Sequence, residues 1–241
     1  MNWYARPQDS GYFKRDWVQR CVEAPADTKW VRAWDKAATE PSDTNPSPDY
    51  TACIKMGKDR AGNYYIAGDF VEENYDEDSK TYGRFRKRAG ARDNIILKQA
   101  LADGHDCEVV LPQDPAAAGK TEYIESAKKL IEQGIRCRKD VVASNKSKLI
   151  KFSPFSASCE NGLVYILDAT FTQKTLNAFY TELESFNGEA STRTRKDDWV
   201  DCTAMAFNYL SKKSVLPNFT LDEWGGTSVK TPLSIVRANF H

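Results

Sequence analysis

Histidine is scarce in this chain, cysteine pairs are missing and net charge is zero. Two of the 241 residues are histidine. Only His105 lies away from the C-terminus, in an Asp-Gly-His-Asp turn that reads as surface. Histidine-based hydrolysis and a catalytic zinc lose most of their support on that count. The six cysteines (Cys21, Cys53, Cys107, Cys137, Cys159, Cys202) form no Cys-x-x-Cys pair, and most lie in apolar segments. They read as reduced residues of a cytosolic protein, with neither a disulfide framework nor a zinc site. Lys and Arg number 34 and so do Asp and Glu, so any basic surface is local and offset by acid elsewhere. No apolar run approaches the roughly 18 residues of a membrane span, and the N-terminus lacks the apolar stretch of a signal peptide. No Gly-x-Ser-x-Gly elbow is present. Ala118-Gly119-Lys120-Thr121 has the tail of a phosphate-binding loop. The motif needs a glycine five positions before Gly119, and Asp114 stands there, so it fails.

What is present supports a globular fold. Hydrophobic residues make up 41% of the chain, and its length suits one large domain or a domain with appendages. Residues 1–27 carry aromatics without clear periodicity and read as a linker-like lead-in from a longer protein. Strands are expected at Lys29 to Trp34, Tyr50 to Met56 and Tyr64 to Val71, a meander with a turn cluster at residues 58–63. Further strands are expected at Cys107 to Leu111, Ile135 to Val142 and Gly162 to Leu167. Periodicity predicts helices over Asp93 to Ala102, Lys120 to Gln133, Leu176 to Phe186 and Asp197 to Leu210. In the second of these, Tyr123, Ile124, Ala127, Leu130 and Ile131 form the apolar face. Lys148 to Cys159 is mixed, and Arg84 to Arg88 reads as a flexible, exposed segment. The result is an α/β domain over residues 28–212, with a tail at 213–241 that has weak periodicity. The element order is that of a ribonuclease-H-like mixed central sheet flanked by helices, an order other mixed sheets share.

Four aspartates on three segments carry the chemistry. Asp35 ends the first strand, Asp114 follows the fourth, and Asp198 and Asp201 share a face at the start of the last helix. Asp197 and Asp201, four apart, share one as well. A carboxylate at the end of a buried strand is costly without a counter-charge. If the segments converge, hard divalent cations bound by oxygen are the natural partners, as in two-metal phosphodiester chemistry. The ordinary alternative is that Asp197 or Asp198 only caps its helix. Lys120 at a helix start, Lys148, Lys151 and Arg195 would meet a nucleic-acid backbone, although solvated charged faces explain each run equally simply.

Several strings together resemble the nuclease domain of tailed-bacteriophage large terminase subunits. They are residues 110–120 around Asp114, Trp34-Asp35 with Asp49-Tyr50-Thr51, residues 148–155 with Glu160-Asn161-Gly162, and Asp197-Asp198-Trp199-Val200-Asp201. Gly11-Tyr12-Phe13-Lys14 is similar to the linker that joins the packaging ATPase to that nuclease. The resemblance implies a metal-dependent endonuclease, using two Mg²⁺ or Mn²⁺ ions held by Asp35, Asp114, Asp198 and Asp201, that cleaves concatemeric viral double-stranded DNA at the initiation and termination of packaging. It also implies the ATPase domain, portal and small terminase subunit as partners, no membrane association, and the host-cell cytoplasm as the location. Lys196 stands where relatives often carry histidine. Rival readings are a Holliday-junction resolvase-like or transposase-like nuclease, and a non-catalytic docking module of a packaging motor.

Overall fold

The computed structural model describes residues 11–37, 40–43, 45, 47–113, 116–142, 146–189, 192 and 195–212. Its strands are β1 (Gln19–Arg20), β2 (Lys29–Asp35), β3 (Thr51–Lys58), β4 (Tyr64–Ala67), β5 (Tyr75–Asp76), β6 (Thr81–Tyr82), β7 (Arg84–Phe85), β8 (Cys107–Leu111), β9 (Cys137–Lys139) and β10 (Val164–Ile166). Its α-helices are α1 (Ala89–Asp103), α2 (Ala117–Glu132), α3 (Lys148–Glu160), α4 (Gln173–Ser185) and α5 (Asp198–Lys212).

The main sheet runs β1-β10-β4-β3-β2-β8-β9, with β7 also on β3. β3 is antiparallel to β2, β4 and β7, while β2 and β8, β8 and β9, β10 and β4, and β1 and β10 are parallel. The expected meander is therefore β2-β3-β4, and Asp35's strand pairs in parallel with Cys107–Leu111, Ala33 opposite Val110. Parallel pairs need crossovers, and α1 and α2 supply those leading into β8 and β9.

Two-residue periodicity sorts the side chains onto two faces. Val31, Ala33, Ala52, Ile54, Met56 and Val110 join the core that packs under α3, α4 and α5. Trp34, Cys53, Val109 and Leu111 join the core under α1 and α2. Asp35 has the parity of Val31 and Ala33, so the strand delivers it to the α5 face. Helix α5 is held there by buried Trp199, Val200, Ala204, Phe207 and Leu210, each large side chain worth about 1.5–3 kcal/mol.

Several expectations are corrected. Lys148–Glu160 is a regular helix despite Pro154. Ser147 Oγ accepts the Ile150 N–H, and Phe152, Phe155 and Cys159 are buried at helical spacing, so packing overrides the proline. Arg84–Arg88 is not simply exposed. Phe85 is fully buried against Trp34, Arg84 and Phe85 pair with β3, and only Lys87 and Arg88 face solvent. On α2 the buried stripe is Ser126, Ala127 and Leu130, whereas Ile124 and Ile131 are each 61% exposed. Ile131 lies one position past Leu130, a rotation of about 100°, and Ile124, seven residues earlier, shares its side of the helix. Phe13 lies in the main core and Gln19–Arg20 extends the sheet edge, so this part of the lead-in is built into the domain.

Candidate metal centre

The C-terminal end of β2 meets the N-terminus of α5. Asp197 occupies the cap position of α5, since its carbonyl accepts the Asp201 N–H at 3.0 Å. Helix α3 packs along α5 and brings Lys148, from its own first turn, to the same place. Lys148 Nζ is 2.5 Å from Asp201 Oδ2 and 2.7 Å from Asp197 Oδ2. The first contact is a hydrogen bond, the second is an ion contact, and Asp197 Oδ2 is buried without a hydrogen-bond partner. Asp198 turns elsewhere. It is 3% exposed, its Oδ1 accepts the Tyr50 N–H at 3.2 Å, and its Oδ2 is buried with no hydrogen-bond partner. The loop leading to Tyr50 is pinned by Lys196, whose ammonium reaches Ser47 O, Pro48 O and Asp49 Oδ1.

Negative charge prevails here. Burial raises the pKa of Asp35 well above the usual carboxylate range, and Asp201, Asp198 and Asp197 push it the same way against Lys148. Burial likewise raises Asp201, with Lys148 opposing. Asp198 is pushed up to about 7, by burial first and then by Asp49 and Asp197, with Lys196 and the Tyr50 N–H opposing. Burial works against the Lys148 ammonium, yet Asp201 and Asp197 hold its pKa above the ordinary value. Lys148 thus bridges two of four clustered aspartates, Asp197 and Asp201, and burial with mutual repulsion still holds Asp35 and Asp198 above the ordinary range. Such an all-carboxylate set suits a hard divalent cation, and the orphaned Asp198 Oδ2 is an acceptor such an ion would satisfy. Among the described residues no three donors are close enough to hold one as they stand.

The residues anticipated from sequence are only partly gathered. Asp35, Asp198 and Asp201 come together at one end of the sheet. Asp114 lies outside the described residues. Of the pair left open, Asp197 shares Lys148 with Asp201, Asp198 accepts the Tyr50 N–H, and each keeps one Oδ2 without a hydrogen-bond partner. Lys151, one turn after Lys148, acts electrostatically on Asp201. Arg195 pairs with Glu189 at 3.2 Å in the loop before α5. Lys120 is exposed in the first turn of α2, on the opposite face of the sheet from α5. Sequence reading missed Glu182, which is 6% exposed, donates nothing, and accepts the Trp199 N–H at 2.5 Å. Its pKa rises to about 8, through burial and then Asp198, with Arg84 opposing. Its only sequence signal was an acid on the buried side of α4.

No curated protein matches this chain. In its fold it is similar to the large terminase nuclease from thermophilic phage G20c with bound magnesium, at 16% identity and a TM-score of 0.51, covering 84% of this chain and 98% of that one. It is also similar to the human cytomegalovirus terminase nuclease domain, manganese-soaked with inhibitor bound, at 11% identity and a TM-score of 0.52, covering 83% and 94%. The model of the terminase RNaseH-like domain matches residues 32–210. With that match spanning most of the chain, on a sheet of the expected order, the chain belongs to the terminase RNaseH-like domain family.

Proposed function

We propose that this chain is a metal-dependent endonuclease that cleaves concatemeric viral double-stranded DNA at the initiation and termination of genome packaging. The observation that carries the reading is the convergence of Asp35 with Asp197, Asp198 and Asp201, where mutual repulsion outweighs the Lys148 that bridges two of them. Asp35, Asp198 and Asp201, with Asp114, would hold two Mg²⁺ or Mn²⁺ ions. When bound, such ions lower the pKa of an attacking water and stabilise the leaving 3′-oxygen. Both structures cited above, one with magnesium and one soaked with manganese, are in keeping with that choice.

The protein's own groups do the rest. Asp198 is fixed through the Tyr50 N–H. Lys148 and Lys151 set two ammonium groups beside the carboxylates, placed to take phosphate oxygens, and Arg195 and Lys120 would extend backbone contact. Contacts of that kind position the duplex without reading its bases and weaken as salt rises. The working partners would be the packaging ATPase domain, the portal and the small terminase subunit, in the host-cell cytoplasm. Among the described residues no helix is long and apolar enough to cross a membrane.

The test is plasmid cleavage in Mg²⁺ or Mn²⁺ by Asp35→Ala and Asp114→Ala variants. Each is expected to lose at least about 100-fold, the upper end of what residues that only orient ligands cost. Undiminished cutting by both would overturn the assignment, and preference for branched over linear DNA would point to a resolvase instead.

A further inference from the structure

The first turn of α5 is capped from outside the helix. A residue at the cap position ordinarily turns its own side chain back onto the N–H two or three residues on. Asp197 sits at that position but gives its carboxylate to Lys148, and the next residue, Asp198, gives its own to the Tyr50 N–H. The N–H of Trp199 is satisfied instead by Glu182 Oε1 of α4 at 2.5 Å. The other oxygen of Glu182 takes Arg84 Nη1 at 3.2 Å. Arg84 in turn lies 4.3 Å from the centre of the Trp199 ring and 4.7 Å from that of Tyr50. Trp199 Nε1 donates to Gly83 O, and its ring meets Phe179 of α4 edge-on. Glu182 therefore grips the residue after Asp198 directly, and through Arg84 it braces the residue whose N–H holds Asp198.

We infer that Glu182 is a positioning residue of the metal centre, capping α5 so that Asp197 stays on Lys148 and Asp198 is free to face the cation. The inference rests on the metal-centre reading above. Were Glu182 removed, Asp197 or Asp198 would be drawn back to cap the helix, and the site would lose a donor. Glu182 touches neither substrate nor ion in this account.

The experiment is calorimetric titration of the whole chain with Mn²⁺ alone, with hydrogen exchange at the Trp199 amide as a readout independent of activity. Glu182→Ala and Glu182→Asp, the latter too short to reach, should weaken Mn²⁺ binding by roughly 10- to 100-fold and speed Trp199 exchange. Glu182→Gln keeps an acceptor for the Trp199 N–H and should lose clearly less than Glu182→Ala. Glu184→Ala, on the same helix but paired with Arg15 at the surface, should leave affinity and exchange unchanged. A folded Glu182→Asp variant with wild-type affinity overturns the inference, and it decides the matter should Glu182→Ala not fold. Equal losses in Glu182→Gln and Glu182→Ala overturn it too, because charge rather than capping would then be at work. A wild-type protein that binds no Mn²⁺ sinks the metal centre and the inference together, whereas full binding retained in the variants sinks the inference alone.

Discussion

Arg32 and Asp35 stand three residues apart on β2 and represent opposite ways of burying charge. The Arg32 side chain is fully buried, and Asp103 meets it with both oxygens, Nε to Oδ2 at 2.6 Å and Nη2 to Oδ1 at 2.7 Å. Gly68 O and Asp69 O accept its other N–H groups, and Lys55 approaches Asp103 at 3.4 Å. Burial alone would lower the Arg32 pKa, yet Asp103 reverses the shift. At Asp35 the neighbours Asp201, Asp198 and Asp197 carry the same sign and outweigh Lys148, which bridges Asp197 and Asp201. A closed pair needs nothing further. An open cluster has room in its charge balance for an ion that folding does not supply.

The comparison can be broken first at its closed end. Asp103→Ala leaves Arg32 buried and unpaired, so chemical denaturation should show a loss of about 3–5 kcal/mol. A loss under about 1 kcal/mol would mean that Lys55, Gly68 and Asp69 already define the site. At the open end, Asp35→Ala should keep the fold while cutting falls at least about 100-fold, near 2.7 kcal/mol in barrier.

A third prediction sharpens the contrast through pH in metal-free protein. Asp198 and Glu182 titrate near 7 and 8 when folded, against about 4 when unfolded. Between those values the native state keeps protons that the unfolded chain has released. Their stabilisation is therefore complete below about pH 4 and is lost as pH rises through 7 to 8, with a slope of up to about 1.4 kcal/mol per pH unit for each proton. Unfolding curves of Asp198→Asn should decline less over that window than wild type. Parallel declines would remove the cluster from the account. The smallest effect is expected at a pair of neither kind. Arg15 and Glu184 are surface partners at 2.7 Å, and Glu184→Ala should change stability by no more than about 0.5 kcal/mol.

The central meander and the acidic face of α5 were legible in the sequence, because each rests on local periodicity, whereas the pairing of β2 with β8 joins segments far apart in the chain. Two-residue alternation also contained the fact that Asp35 shares a face with Val31 and Ala33. Less visible was α3, where Pro154 and three serines outweigh propensity until Phe152, Phe155 and Cys159 are seen to pack. Arg84 and Phe85 were misread for a similar reason. A run of basic residues signals exposure, and nothing local reveals that Trp199, Tyr50 and Glu182 converge around Arg84. The role of Asp197 and the cap from Glu182 depend on contacts between distant segments, which spacing along one helix does not encode.

The most direct test of the central claim is the unfolding free energy of wild type and Asp35→Asn, each measured without metal and with saturating Mn²⁺. Without metal the variant should be at least as stable as wild type, because it removes one of four like charges. With Mn²⁺ at about 100 times its Kd, wild type should gain about 2.7 kcal/mol and overtake the variant, which should gain little. Equal shifts in both proteins, or no shift in either, would contradict the claim that Asp35 and the aspartates of α5 share a divalent cation.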